Sequence, residues 1–217
     1  MRRFAIWATL LAAACLGPRI QTTANSSIAP RQAAPGWLCR QWEPADAGVA
    51  LGKYLGRFKV TFYWVVREED YPTSRSVPLY DTQGQLLGRF SSAFVKAFKT
   101  ESAAKLRDGR KISYLKLRNR AQVVDEFLGH GGHTLVALKS VAVDPRVIPL
   151  GSRLYIPQAG NVVIDGQPLS GLFYAHDIGS AIKGKRIDIF LGAQEHMQAF
   201  NAAGMGSSSS VDVYLLE

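Results

Sequence analysis

The amino-acid sequence predicts a mainly β protein built around a small barrel. Its second half breaks into short runs of alternating or β-branched residues separated by Gly, Pro or Ser. FKVTFYWVV at 58–66 has the aromatic and β-branched density of a buried strand. Helical spacing is confined to two short stretches, which argues against a βαβ fold.

In chain order, the strand at 58–66 is followed by SVPLYDTQGQLLGRF (76–90), two apolar segments around a Gln-Gly turn that read as a hairpin. Ser91 or Ser92 then caps a short helix through SAFVKAFKTESAAK, where Phe94, Ala97 and Phe98 share one face. Asp108 and Gly109 make a tight turn before the strand KISYLKL. TLVALKSVAVD (134–144), SRLYIP (152–157), VVID (162–165), GLFYAHD (171–177), RIDIFL (186–191) and VDVYLLE (211–217) are the remaining expected strands. A helix at about 192–203 separates the last two, and GSSSS at 206–210 is a connecting loop. There is no internal repeat and no heptad pattern.

The chain has 217 residues, 47% of them hydrophobic and 20% charged, enough to bury a core of its own and unlike a disordered or fibrous protein. Its 26 Lys and Arg outnumber 17 Asp and Glu, a net charge of +9 that suits an anionic partner as well as it suits simple solubility. Two cysteines, Cys15 and Cys39, exclude a disulfide-stapled miniprotein and a Cys-rich zinc site.

Residues 1–17, MRRFAIWATLLAAACLG, place two arginines before an apolar run that ends in small residues, the pattern of a secretory signal. The run is too short to span a bilayer and is closed by Pro18 and Arg19. Cleavage after Ala14 and cleavage near Ala24 are both compatible with it. In the first case Cys15 becomes the terminus and AAAC reads as a lipoprotein box, with Ala12 where Leu is usual. The expected organisation is a signal peptide over 1–24, a flexible linker over 25–36 and a single barrel domain over 37–217, with its core motif at 134–217. The expected location is the periplasm or cell envelope, with an outer-membrane lipoprotein as the lipidated variant. Export disfavours nucleic acid as partner and favours an anionic envelope polymer.

Three aspartates stand at strand ends in contexts bounded by Gly and Pro: Asp144 in VAVDPRVIPLGS, Asp177 in AHDIGSAIKG and Asp188 in GKRIDIFLG. In RIDIFL, Ile187, Ile189 and Leu191 alternate with Arg186, Asp188 and Phe190, so a strand that turns the first set to the core turns Asp188 to a groove. Gly179 and Gly184 allow the intervening loop to fold back. Clustered, partly desolvated carboxylates have raised pKa values, and one of them can act as a general acid. Taken singly, each aspartate reads more readily as a turn former or ion-pair partner.

The stretch VAVDPRVIPLGSRLYIP…GLFYAHDIGSAIKGKRIDIFLG closely resembles the 3D domain, named for three aspartates and shared by membrane-bound lytic transglycosylase A and stationary-phase muralytic enzymes of bacteria. The resemblance is strong over about residues 139–192. It implies a six-stranded double-psi β-barrel with one or two short helices and an N-terminal extension. It also implies cleavage of the MurNAc-GlcNAc β-1,4 bond of peptidoglycan without water, leaving 1,6-anhydro-MurNAc ends. Asp188 then matches the catalytic acid, and Asp177 and Asp144 match the other two aspartates of the same groove. A noncatalytic wall-binding barrel and a hydrolase using water are the alternatives. The expected partner is the glycan strand and the expected state a monomer, with membrane anchoring through Cys15 in the lipidated variant. This chemistry needs neither metal nor cofactor.

Lys183 and Arg186, with Lys116 and Lys139, are candidates to meet peptide-stem carboxylates, although solvated surface charge accounts for each equally well. Tyr63, Trp64 and Tyr174 are candidates to stack on sugar rings, against the commoner core role of strand aromatics. HGGH at 130–133 reads as a turn, since no third ligand stands at metal spacing. GSAIKG lacks the spacing of a phosphate loop, and no nucleophile elbow supports a serine hydrolase.

Overall fold

A computed structural model of the chain describes residues 52–216, so the signal, linker, Cys15 and Cys39 readings lie outside the described residues. The strands and helices, in chain order, are β1 (Lys53–Trp64), β2 (Val66–Arg67), β3 (Val77–Tyr80), β4 (Leu86–Phe90), α1 (Ser92–Glu101), β5 (Ala103–Lys105), β6 (Lys111–Leu115), β7 (Arg120–Val124), β8 (Ser140–Ala142), β9 (Arg153–Tyr155), β10 (Val163–Ile164), β11 (Gln167–Pro168), β12 (Leu172–Asp177), β13 (Arg186–Gly192), α2 (Met197–Ala202) and β14 (Ser210–Leu216). Six of these strands close a barrel in the order β1-β13-β8-β12-β9-β14, with β14 pairing back on β1. The six-stranded barrel expected from the sequence is thus present, and α1 and α2 are the α-helices among the described residues.

Two-residue alternation builds the barrel interior. Phe58, Val60 and Phe62 of β1, Phe173 and Ala175 of β12, Ile187, Ile189 and Leu191 of β13, and Val211 and Val213 of β14 all point inward and are buried. Phe200 of α2 lies against Phe62 with ring centroids 5.0 Å apart, adding an aromatic contact to this core.

Residues between β1 and β8 build a second core. A four-stranded sheet, β2-β5-β6-β7, and the β3-β4 hairpin pack with α1 around Val66, Leu79, Phe90, Phe94, Val95, Phe98, Leu106 and Ile112. Ser91 caps α1 as expected, its hydroxyl accepting from the Phe94 N–H at 3.2 Å. The expected helical run ends earlier than its spacing suggests. Ser102 takes a left-handed conformation (φ 65°) and donates its N–H to Phe98 O, after which Ala103–Lys105 leaves as a strand.

Other departures are equally local. Only Ser140–Ala142 of the expected 134–144 strand is extended, because the Ser140 side chain and N–H close a turn on Val136. VVID forms a small hairpin with β11 outside the barrel, turning through Asp165 (φ 51°) and Gly166 (φ 76°). β7, which no sequence signal singled out, is recruited by β6. No described helix is long and apolar enough to cross a membrane.

Phe98 is fully buried and stacks with Phe94 at 6.1 Å. Phe98→Ala should destabilise the chain by about 3–5 kcal/mol, seen as a lower urea midpoint at an unchanged slope. An unchanged midpoint would mean that the second core does not contribute to stability.

Candidate active site

Parallel pairing of β13 on β1 sets Thr61 opposite Asp188 and Tyr63 opposite Phe190. Because Ile187 and Ile189 are fully buried in the barrel, the pleat turns Asp188 outward, as the alternation in RIDIFL predicts. There it lines a groove of about 250 Å³. Tyr63 and Ala142 of the barrel form one part of this groove, Asp177 and the 178–182 segment another, and the end of α1 with Glu101 and Ser102 a third. A cleft of about 350 Å³ lies elsewhere, between Arg67, Asp70 and the region around α2. Its Arg67 is already paired with Asp70 and Glu195, and it contains none of the three aspartates.

The groove acids differ in their partners. Asp188 is largely buried, and its Oδ1 is enclosed without a hydrogen-bond partner. Burial raises its pKa; the Thr61 hydroxyl and the Arg186 charge pull it down, and Asp177 pushes it up. Asp177 is anchored by backbone amides: Oδ1 accepts from His130 N at 2.9 Å and Ile178 N at 2.8 Å, while Tyr63 Oη approaches Oδ2 at 3.5 Å. Burial raises Asp177 as well, against the lowering effect of those amides. Burial and the two aspartates hold the Tyr63 phenol well above its ordinary pKa, so it remains a neutral donor.

Asp144 is arranged differently. It is 2% exposed and is not among the groove-lining residues. Its carboxylate accepts from Arg146 N, Nε and Nη2 at 3.1, 3.0 and 2.7 Å, and from Gly184 N at 2.8 Å. The Arg146 side chain and the Gly184 amide hold it well below the usual carboxylate range. Gly184 has φ 61°, which supplies the turn that presents its N–H to Asp144. The structure therefore brings Asp177 and Asp188 together and uses Asp144 to tie down the loop that delivers β13.

Of the other candidates, Tyr63 lines the groove, its ring 5.0 Å from that of Phe190. Arg186, at the start of β13, acts on Asp188 through its charge and has a buried Nε without a partner. Lys183 is exposed and is not a groove-lining residue. HGGH forms a turn with Gly131 at φ 75°, and His133 stacks on His176 at 5.1 Å, with Tyr174 continuing the stack at 5.3 Å.

One groove acid escaped the sequence reading. Glu101 closes α1, and its Oε2 accepts from Trp64 N at 3.4 Å. Burial raises its pKa to about 7, opposed by the Trp64 amide and reinforced by Asp188. In sequence it resembles any exposed helix glutamate; the break at Ser102 that turns it to the groove carries no residue-type signal.

These shifts give opposite pH dependences. A carboxyl raised from 4.5 to about 7 contributes stability below pH 4.5 that is lost as pH rises towards 7. Thermal melting should therefore show the wild-type chain losing ground to Glu101→Gln between pH 4.5 and 8; parallel curves would contradict the shift. Asp144, lowered from 3.8, contributes stability above that pH which disappears in stronger acid. Asp144→Asn should melt below wild type at pH 7, with the gap narrowing as pH falls below about 4; a gap independent of pH would show that the charge is not what stabilises the loop.

Known proteins resemble this chain in sequence and in fold. The family model of the 3D domain matches residues 139–217. The chain is 39% identical over 70 residues to YabE of Bacillus subtilis (strain 168), covering 29% of this chain and 14% of that protein. It is 43% identical over 53 residues to the cell wall-binding protein YocH of the same organism, covering 24% of this chain and 15% of that one. The chain thus spans about a seventh of the length of these curated relatives. Its fold is similar to that of E. coli MltA crystallised with bound chitohexaose, with a TM-score of 0.54 and 17% identity over 75% of this chain and 72% of that one. The stretch that matches the 3D domain model, residues 139–217, carries five of the six barrel strands and both groove aspartates.

Proposed function

We propose that this chain is an exported peptidoglycan lytic transglycosylase that cleaves the MurNAc-GlcNAc β-1,4 bond and leaves 1,6-anhydro-MurNAc ends. The observation that carries the proposal is the Asp188 carboxyl, outward on β13 in an open groove, with a buried oxygen that has no protein partner. Such an oxygen is costly to leave unsatisfied as an anion, which favours holding a proton until a substrate oxygen takes it. The resemblance of this segment to the 3D domain and the fold likeness to E. coli MltA, a lytic transglycosylase, support the same reading. Residues 1–24 would direct export.

Asp188 donates its proton to the glycosidic oxygen as the C–O bond breaks, so the leaving sugar departs as an alcohol rather than an alkoxide. Positive charge grows on the MurNAc ring and is stabilised by the groove carboxylates. The Asp188 carboxylate then takes the proton of the MurNAc 6-hydroxyl as that oxygen bonds to the anomeric carbon. Each turnover returns the proton to Asp188 and consumes no water. Asp177, fixed by two amides, keeps negative charge beside the acid, and neutral Tyr63 donates at the groove edge. Asp144 acts through the loop, outside contact with substrate. Arg186 biases Asp188 from the strand start, and Lys183 is available to peptide-stem carboxylates from the exposed loop.

A second reading, a noncatalytic wall-binding barrel, is favoured by the similarity to YocH. Purified chain incubated with peptidoglycan separates the two, with fragments analysed by mass spectrometry. The enzyme should release anhydro-MurNAc products, and Asp188→Asn, folded by circular dichroism, should lose at least about a hundredfold of that rate. Hydrated ends would indicate a hydrolase, and binding without release would establish the wall-binding module.

A further inference from the structure

The proposed chemistry makes no use of the HGGH turn at 130–133, yet the contacts of that turn lead to a groove acid. Gly129 N–H closes the turn on His133 O at 2.8 Å. From there the chain meets the end of β12 in three places. The His130 N–H donates to Asp177 Oδ1 at 2.9 Å. Gly129 lies so close to the His176 carbonyl oxygen that a Cβ at this position would collide with it. The His133 ring lies flat on the His176 ring, with centroids 5.1 Å apart and planes within 6°. The His176 ring is itself held in place. Its Nδ1 is 2.9 Å from Ser140 Oγ, and that buried hydroxyl also accepts from Val136 N at 2.8 Å. Tyr174, two residues earlier on the same strand, backs the ring at 5.3 Å and 18°. His133 thus meets a fixed surface rather than a mobile side chain. Parallel rings do not aim their nitrogens at a common ion, and no group of His, Cys, Asp or Glu among the described residues suits a metal. The stack acts as a mechanical contact.

We propose that His133 is a positioning residue for Asp177: its stack on His176 seats the turn so that the His130 amide fixes Asp177 Oδ1 and leaves Oδ2 to face Tyr63 and the groove. The catalytic consequence rests on the lytic reading; the positioning itself rests on the contacts just described. An amide that donates to a carboxylate stabilises the anion, so the seated turn keeps Asp177 ionised where positive charge grows on the sugar. The two amides on Oδ1 are not equivalent. Ile178 N, at 2.8 Å, is the next residue in the chain and moves with Asp177, whereas His130 is 47 residues away and arrives only with the turn. The other groups facing this carboxyl are Tyr63 on β1, whose hydroxyl approaches Oδ2 at 3.5 Å, Asp188 on β13, and the charge of His130 itself. Unseating the turn removes an amide that lowers the Asp177 pKa, leaving burial to raise it further.

The test uses the full chain with His133→Ala and with His133→Phe, whose flat ring can still stack. Carboxyl carbon NMR should place the Asp177 titration midpoint about one pH unit higher in His133→Ala than in wild type. Exchange of the His130 amide proton should quicken at least about tenfold in the same variant. His133→Phe should return both towards wild type. A merely structural role would lower the melting temperature of His133→Ala without moving the Asp177 midpoint. An unmoved midpoint in folded His133→Ala, or a His133→Phe no closer to wild type than the alanine variant, overturns the proposal.

The catalytic consequence is read from kcat/KM on soluble peptidoglycan glycan strands. His133→Ala should lose about tenfold, and His133→Phe should recover most of that loss. An active chain whose His133→Ala variant keeps the full rate overturns the catalytic part. A chain that shows both NMR effects but releases no fragments refutes the lytic reading and leaves the positioning of Asp177 standing.

Discussion

The parallel register of β13 against β1 is the constraint on which the rest of the site depends. It sets Thr61 against Asp188 and places Ile187 and Ile189 in the barrel core. A slip of one residue would put a carboxyl in the apolar interior and two isoleucines in the groove, so hydrophobic burial itself specifies where the acid points. The same pairing places Tyr63 beside Phe190, completing a floor on which the phenol can approach Asp177. The chemistry of the groove is thus a by-product of packing the barrel.

Asp144, Asp177 and Asp188 differ in their surroundings. Asp144 has a guanidinium and backbone amides for its oxygens, which stabilises the anion. Asp177 has amides on one oxygen and a long phenol contact on the other. Asp188 has an oxygen with no partner. This gradient in hydrogen bonding, more than differences in burial, separates a group that ties a loop from one suited to exchanging a proton. Arg146 is exposed along its side chain, yet it directs its fork inward at Asp144, so the loop feeding β13 is secured from outside the barrel.

The second core gives the groove its remaining wall. Hydrophobic packing of Phe94 and Phe98 holds α1, and the left-handed turn at Ser102 stops the helix with Glu101 at the groove. This part is held by aromatic contacts among Phe90, Phe94, Phe98 and Tyr114, none of which lines the groove. Substitutions there can change the groove without touching it.

Much of this was legible in local patterns. The alternation in FKVTFYWVV and RIDIFL marks barrel strands, because a two-residue period needs no long-range information to be read. The Ser91 cap and the Phe94–Phe98 face are likewise local, and the words around Asp177 and Asp188 pointed to a shared groove. Other features depend on partners distant in the chain. Asp144 and Gly184 meet only after the loop closes, and Asp144 then turns away from the groove that its motif suggested. Strand β7 exists because β6 offers it an edge, and VVID leaves the barrel because its own turn offers a nearer partner. Glu101 was invisible for the same reason: periodicity records which face of an element is apolar, whereas the meeting of a helix end with a strand from another core is decided by how those faces pack in space.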